Sequence, residues 1–212
     1  MPNRQTPISR RVFSAALAVT PLLGSLSFAQ SASAAIGQPA PDFTAVDTAG
    51  KSHKLSDFKG KTVVLEWTNP NCPFVRKHYS GNMQSLQKEA VSKGVVWLAI
   101  NSTETASVDY LPPAKLVAWN TEKQAVPTAL LMDESGKIGT LYGAKTTPHM
   151  YLINPQGQLV YAGAIDSVPT ARVDDIKTAT NYVRQALTES WGGKPVSVAT
   201  SRAYGCSIKY KT

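Results

Sequence analysis

The sequence has few of the side chains that build metal sites and disulfide scaffolds. Its 212 residues include two cysteines, Cys72 and Cys206, and three histidines. Two cysteines can form one disulfide bond, so a disulfide-rich scaffold is excluded. The chain lacks a glycine-rich phosphate loop, and no basic run is interleaved with aromatic residues. We therefore expect no cofactor, no resident metal and no nucleic-acid partner.

Acidic residues are absent from the first 35 positions. Three arginines there carry part of the formal net charge of +8, and the rest of the chain holds 19 basic against 14 acidic residues, a charge of +5. Arg10 and Arg11 precede a short apolar stretch, and small residues around Ala32-Ser33-Ala34 follow it. This order is typical of a cleaved twin-arginine (Tat) export signal, and the apolar stretch is too short and broken for a comfortable membrane anchor. We predict a signal over residues 1–35 and a mature periplasmic or secreted protein with no membrane contact.

Cys72 lies where a predicted strand gives way to a predicted helix. Residues 61–65 are β-branched and apolar, which favours a buried strand, and Pro73 suits the first position of a helix. A sulfur placed there faces free backbone N–H groups, those of Phe74 and Val75, and the positive end of the helix dipole. Both favour the thiolate, the reactive form of cysteine. The alternative is a buried structural cysteine.

Apolar periodicity predicts the order strand, helix, strand, helix, strand, hairpin, helix. This alternation indicates an α/β protein with a parallel sheet that turns antiparallel at one edge. The predicted helices are one that begins after Cys72 and ends near Ser92, one from Pro112-Pro113 to about Glu122, and a last one that begins after Pro169. The predicted strands after the first cover residues 95–100, 128–132, 150–153 and 158–161. The segment 193–212, which contains Cys206, shows no helical period.

A family resemblance is carried by Ala40-Pro41-Asp42-Phe43, the tract from Asn69 to Tyr79, Thr147-Pro148 and Gly205-Cys206. With these motifs, residues 36–190 resemble the thioredoxin-fold redoxins of the peroxiredoxin-like (AhpC/TSA) superfamily. This resemblance implies a three-layer sandwich, a mixed central sheet with flanking helices, over a domain at 36–192 followed by a tail at 193–212. It also implies that Cys72 is the reactive cysteine, that Glu66 is the buried acid of thioredoxins, and that Thr147-Pro148 is the cis-proline loop facing the cysteine.

Four positions depart from the family patterns. Val75 replaces the second cysteine of a thioredoxin Cys-x-x-Cys, so a local dithiol is excluded. Asn69 stands where peroxiredoxins have Thr or Ser, and Pro148 where they have a peroxide-orienting arginine, which weighs against fast peroxide reduction. Arg76 occupies the place of the second cysteine of copper-delivery relatives.

The leading hypothesis is a thiol-dependent oxidoreductase. Cys72 would attack a small peroxide or a protein disulfide, Cys206 would resolve the product as a disulfide, and an unidentified thiol would reduce it again. Glu66 would accept a proton or pair with a lysine, and Arg76 would steady the thiolate or lie in solvent.

Two alternatives remain open for the cysteines. The first is a non-enzymatic copper or zinc site made from Cys72, Cys206 and either His149 or His78. The second is a permanent Cys72–Cys206 disulfide that ties down the tail of a binding module. His78 is otherwise expected to be a packing or surface residue, and His149 to line the cleft.

Overall fold

A computed structural model describes residues 1–3 and 33–211. The predicted export signal lies almost wholly outside the described residues. The chain divides into two compact units, Met1–Gln30 and Ser31–Thr212, and every element below belongs to the second. No helix in the described part of the chain has the length and apolar character that a membrane crossing requires.

Nine strands and five α-helices are present in the described residues. The strands are β1 (Thr44–Asp47), β2 (Ser52–Lys54), β3 (Val63–Trp67), β4 (Val96–Asn101), β5 (Ala129–Met132), β6 (Thr146–Thr147), β7 (His149–Ile153), β8 (Leu159–Gly163) and β9 (Cys206–Ser207). The helices are α1 (Pro73–His78), α2 (Asn82–Ser92), α3 (Pro113–Glu122), α4 (Lys137–Tyr142) and α5 (Tyr182–Trp191).

Seven strands form one mixed sheet in the order β2-β1-β5-β4-β3-β7-β8. The central strands β3, β4 and β5 are parallel, as predicted. Both flanks are antiparallel, because β7 pairs with β3 on one side and β1 pairs with β5 on the other. The expectation of a single antiparallel edge was therefore wrong. Strands β1 and β2 are short and mostly solvent-facing, and they show no apolar run.

Alternate residues of β3 face opposite sides of the sheet and enter two separate cores. Val63, Leu65 and Trp67 pack with α4 residues and the segment around β1, whereas Val64 packs with residues of α1, α2 and α5. The sheet is thus covered by helices on both faces, which is the predicted three-layer arrangement. Glu66 points to the same side as Val64, into the core beneath α1 and α2.

The single helix predicted after Cys72 is two helices. Helix α1 ends at His78, and Gly81 precedes α2 with a φ of 129°, which only glycine adopts readily. The Gln84 side chain accepts from the Gly81 N–H and donates to the Tyr79 carbonyl, so it satisfies backbone groups at the break. The apolar residues on both sides of the break, among them Val75 and Leu86, still pack into one core. The last helix also begins later than predicted, at Tyr182, after a 3₁₀ turn over Val173–Lys177.

Candidate active site

Cys72 joins β3 to α1 at the carboxyl end of the central parallel strands. It is the N-cap residue of α1 with an extended backbone, and Pro73 is the first helical residue, as the sequence predicts. The loop is closed by hydrogen bonds, since the Cys72 N–H donates to the Asn69 carbonyl across 3.0 Å and its own carbonyl accepts from Arg76 N–H. These bonds fix the backbone that carries the sulfur.

The Cys72 side chain faces the proline loop. Its Sγ donates a hydrogen bond to the carbonyl oxygen of Thr147 across 3.0 Å, and the residue is 2% exposed. The expected contact with the N–H groups of Phe74 and Val75 is absent, because the side chain makes no capping hydrogen bond to α1. A carbonyl oxygen can only accept, so the geometry is that of a thiol, which must lose its proton before it attacks.

The peptide bond between Thr147 and Pro148 is cis, as predicted. Thr147 is buried and belongs to the two-residue strand β6. Its carbonyl is the acceptor for the Cys72 thiol, so the proline loop and the cysteine loop meet at one hydrogen bond. Thr147 and Pro148 therefore lie at the site as the resemblance implied.

The tail brings Cys206 to the same place. Strand β9 pairs with β6 in antiparallel register, with Thr147 opposite Cys206 and Thr146 opposite Ser207. Gly205 has a φ of 140°, and a Cβ there would lie 2.0 Å from the Thr147 carbonyl oxygen. Only a glycine lets the tail approach this closely.

The two cysteines are free thiols near each other. Burial, followed by a hydrogen bond and the charge interaction with Cys72, raises the pKa of Cys206 to about 12. Both sulfurs line a small cleft with a volume of about 30 Å³, together with Asn69, Asn71, Thr103, Asp109, Thr147 and residues 207–209. That volume is about the share of one water molecule in the liquid. The cleft therefore admits only a very small molecule while the tail is docked.

Glu66 is fully buried and accepts three hydrogen bonds. The donors are the Tyr79 hydroxyl at 2.8 Å, the Trp97 indole N–H at 2.7 Å and the Gln87 amide at 3.2 Å. Burial raises the pKa of Glu66 despite these bonds. No lysine pairs with it among the described residues, so the salt-bridge alternative was wrong.

The remaining polar candidates have structural contacts. Arg76 is exposed, and its Nε donates to the Pro70 carbonyl at 2.7 Å, which braces the loop before Cys72. His149 stacks on Tyr151 and is not among the residues that line the cleft, so that expectation was wrong. His78 is fully buried, in agreement with a packing role. No group of three or more potential ligands in the described residues could hold a metal ion, so the copper or zinc alternative has no site there.

A buried polar group beside α1 escaped the sequence analysis. Lys77 has no exposed side-chain surface and pairs with Asp166 across 3.1 Å. The Tyr204 hydroxyl accepts from Lys77 and from His78 and donates to Asp166. We call these four residues the Tyr204 cluster. The three partners of Tyr204 lie far from it in sequence, and Lys77 and His78 look like part of an exposed basic run. A tyrosine two residues before the second cysteine was the only local signal.

Comparison with known proteins identifies the family and the fold of the chain. The model of the AhpC/TSA family matches residues 36–162. The chain belongs to the AhpC/TSA family. Its fold is thioredoxin-like: the chain superposes with a TM-score of 0.50 on the thioredoxin domain of a thiol-disulfide oxidoreductase from Bacteroides vulgatus, at 22% identity, covering 69% of this chain and 98% of that one.

Two further proteins are similar to larger or smaller parts of the chain. The thiol-disulfide oxidoreductase ResA of Bacillus subtilis is 31% identical over 134 residues, which are 63% of this chain and 69% of ResA. A hypothetical protein from Sinorhizobium meliloti has a TM-score of 0.75 at 24% identity, covering 85% of this chain and 97% of its own. Because the Sinorhizobium meliloti match covers 85% of this chain, the shared fold extends beyond the family domain at residues 36–162.

Proposed function

We propose that this AhpC/TSA protein is a thiol-disulfide oxidoreductase whose redox pair is Cys72 and Cys206. The observation that carries the proposal is the shared position of the two thiols, one hydrogen-bonded to the Thr147 carbonyl and the other paired with Thr147 in β6–β9. The name of the ResA relative supports the same chemistry.

The exchange needs two steps. The Cys72 thiolate attacks one sulfur of a substrate disulfide, forms a mixed disulfide and releases the other sulfur as a thiolate. The Cys206 thiolate then attacks Cys72, forms the Cys72–Cys206 disulfide and releases the second substrate thiolate. The substrate gains two electrons, the protein loses two, and an external thiol reductant returns them.

The raised pKa of Cys206 suits the second role. At neutral pH Cys206 stays protonated while Cys72 is reduced, so the two thiols do not compete for the first attack. Once Cys72 is in a mixed disulfide it can no longer ionise, so its charge can no longer raise the pKa of Cys206. Glu66, an acid with a raised pKa beneath α1, is the proposed proton acceptor, and Arg76 is proposed to steady the loop that carries the thiolate.

The size of the cleft favours hydrogen peroxide as a second substrate. A peroxide is about as small as the space of about 30 Å³ beside the sulfurs, whereas a protein disulfide requires the tail to move. Attack by Cys72 on the O–O bond would give a sulfenic acid and water, and condensation with Cys206 would give the disulfide and a second water. We also propose that the protein works outside the cytoplasm after Tat export, on the basis of Arg10-Arg11 and the small residues that follow the apolar stretch.

Alkylation and mass spectrometry of the reduced protein test this function. Treatment with one equivalent of oxidised glutathione, or separately of hydrogen peroxide, is expected to yield the Cys72–Cys206 disulfide, which thiols reopen. The Cys206→Ser variant is expected to stop at the glutathione adduct or sulfenic acid on Cys72. A bond that persists in reductant would instead support a permanent structural disulfide, and an unmodified Cys72 would refute the proposal.

A further inference from the structure

Tyr204 is the last side chain before Cys206 that is fixed by the body of the protein. Its hydroxyl lies 3.1 Å from His78 Nε2 and 3.3 Å from Lys77 Nζ, and it donates to Asp166. Its ring meets Phe74 edge to face at 5.8 Å. Three of these four partners belong to α1, the helix that begins directly after Cys72.

The hydrogen bonds of the Tyr204 cluster are mutually consistent. Asn82 donates to His78 Nδ1, so the remaining ring proton is on Nε2 and points at the Tyr204 oxygen. That oxygen accepts two bonds and donates one. Lys77 directs its three protons to Asp166, the Val168 carbonyl and Tyr204. A buried network in which every hydrogen bond is made favours a single arrangement of its side chains. A buried ion pair such as Lys77–Asp166 adds little net stability, so its role here is to help define that arrangement.

The segment between Tyr204 and Cys206 does not fix the sulfur by itself. Gly205, the one residue between them, lacks a side chain, and its φ of 140° is open mainly to glycine. Strand β9 is two residues long, so its ladder with β6 is short. The position of the Cys206 sulfur therefore depends on anchors on both sides of this link.

We infer that Tyr204 is the positioning residue for Cys206, and that its hydrogen bonds to α1 hold the tail sulfur within reach of Cys72. This inference rests on the proposed redox pair. The quantity concerned is the effective concentration of the Cys206 thiol at Cys72. A tail docked through α1 brings Cys206 to Cys72 more often than a tail held by β9 alone, so this concentration is higher.

The chain offers a matched control in Tyr210. Its hydroxyl donates to the Ala144 carbonyl at 2.8 Å, so it also anchors the tail, but at the start of β6 and away from α1. Tyr204→Phe and Tyr210→Phe each remove one tail hydroxyl and keep the ring. In Tyr204→Phe, Lys77 keeps Asp166 and the Val168 carbonyl, so no buried charge loses its partner.

Equilibration of the full chain with reduced and oxidised glutathione measures how readily Cys206 reacts with Cys72. Quantifying the intrachain disulfide against the Cys72–glutathione adduct gives the effective concentration of Cys206. We expect Tyr204→Phe to lower it about tenfold and to prolong the adduct, and Tyr210→Phe to leave it within about twofold of the unmodified protein. Thermal unfolding of the same samples reports stability separately.

Three results would overturn the inference. Equal effective concentrations in Tyr204→Phe and the unmodified protein would reduce Tyr204 to a stabilising contact, whatever its effect on melting. Equal losses in both tyrosine variants would assign positioning to the tail as a whole. If the unmodified protein forms no Cys72–Cys206 disulfide, the proposed function fails first and the positioning role with it.

A second pair of variants keeps the test informative should Tyr204→Phe unfold. His78→Gln retains an amide N–H that reaches towards the Tyr204 oxygen, whereas His78→Leu removes the donor. The inference predicts a near-normal effective concentration for the glutamine variant and a lower one for the leucine variant. Equal values in the two folded variants contradict it.

Discussion

The thiol of Cys72 donates to the carbonyl oxygen of Thr147, a residue 75 positions further along the chain. Strand β9 pairs Cys206 with the same residue. Thr147 of the proline loop is therefore in contact with both cysteine-bearing segments. We expect a change in one segment to alter the position of the thiol in the other.

Alkylation of Cys206 is expected to depend steeply on pH. Because the pKa of Cys206 is raised to about 12, its thiolate fraction should grow about tenfold per pH unit up to at least pH 10. An unperturbed thiol, with a pKa of about 8.5, levels off above roughly pH 9.5. Peptide mapping after brief iodoacetamide pulses measures this profile, and Cys72→Ser should shift it to lower pH. A plateau below pH 9.5 in the unmodified protein would contradict the prediction.

Gly205→Ala is expected to release the tail from β6. Its Cβ would lie 2.0 Å from the Thr147 oxygen, and the positive φ adds strain, for a loss of about 1–3 kcal/mol in the free energy of unfolding. Cys72 should then alkylate faster and form the intrachain disulfide more slowly.

Gly193→Ala is the matched control for that variant. Gly193 also has a positive φ, of 67°, but nothing lies within 4 Å of a Cβ there. We expect about 1 kcal/mol of destabilisation and unchanged thiol reactivity. Faster alkylation of Cys72 in both variants would show that strain in general, and not the contact with Thr147, loosens the tail.

His78 should make the protein less stable on mild acidification. Burial lowers its pKa to about 4, whereas in the unfolded chain it is near 6.5, so the unfolded state binds more protons between these values. Its contribution is complete above about pH 6.5 and is lost as the pH falls towards 4, by roughly 3 kcal/mol at most. Urea unfolding of the unmodified protein and His78→Gln, compared from pH 7 to 4, isolates this change. Parallel curves would refute it.

The protein is expected to gain stability in the Glu66→Gln variant as the pH rises towards neutral, because glutamine has a similar shape and no charge. Its pKa is raised by burial, so the folded state binds the proton more tightly than the unfolded state does. The stability of Glu66→Gln relative to the unmodified protein is therefore expected to increase as the pH rises above about 4.5. Chemical denaturation across pH 4–8 measures the difference, and a difference that shrinks with pH would contradict the raised pKa.

Glu66→Ala separates the hydrogen bonds of Glu66 from its charge. It leaves the buried donors of Tyr79, Gln87 and Trp97 without their acceptor, which should cost about 3 kcal/mol or more at every pH. A loss below about 1 kcal/mol would mean that the core rearranges around the missing carboxylate.

The sequence was sufficient to predict the central architecture and the position of Cys72. Strands β3 and β4 are buried along their whole length and mostly apolar, and Pro73 marks the start of α1, so the local sequence was enough to predict them. The outer strands β1 and β2 were missed because they are short and contain few apolar residues. The break at Gly81 was missed because the apolar stripe continues across it.

The site beyond Cys72 depended on long-range packing. Cys206 could be proposed as a partner because it was the only other thiol, but its pairing with Thr147 is a β-ladder of two residues that no local pattern marks. The burial of Lys77 and His78 had no local signal, because their partners Asp166 and Tyr204 lie far away in the sequence.

The order of the two cysteines along the chain matters during synthesis. From position 72 to position 206 there are 134 further residues to add, and Tyr204 comes only just before the end of that interval. A growing chain therefore carries the Cys72 sulfur well before the segment that covers it has been made. The two thiols can meet only after position 206 has been synthesised.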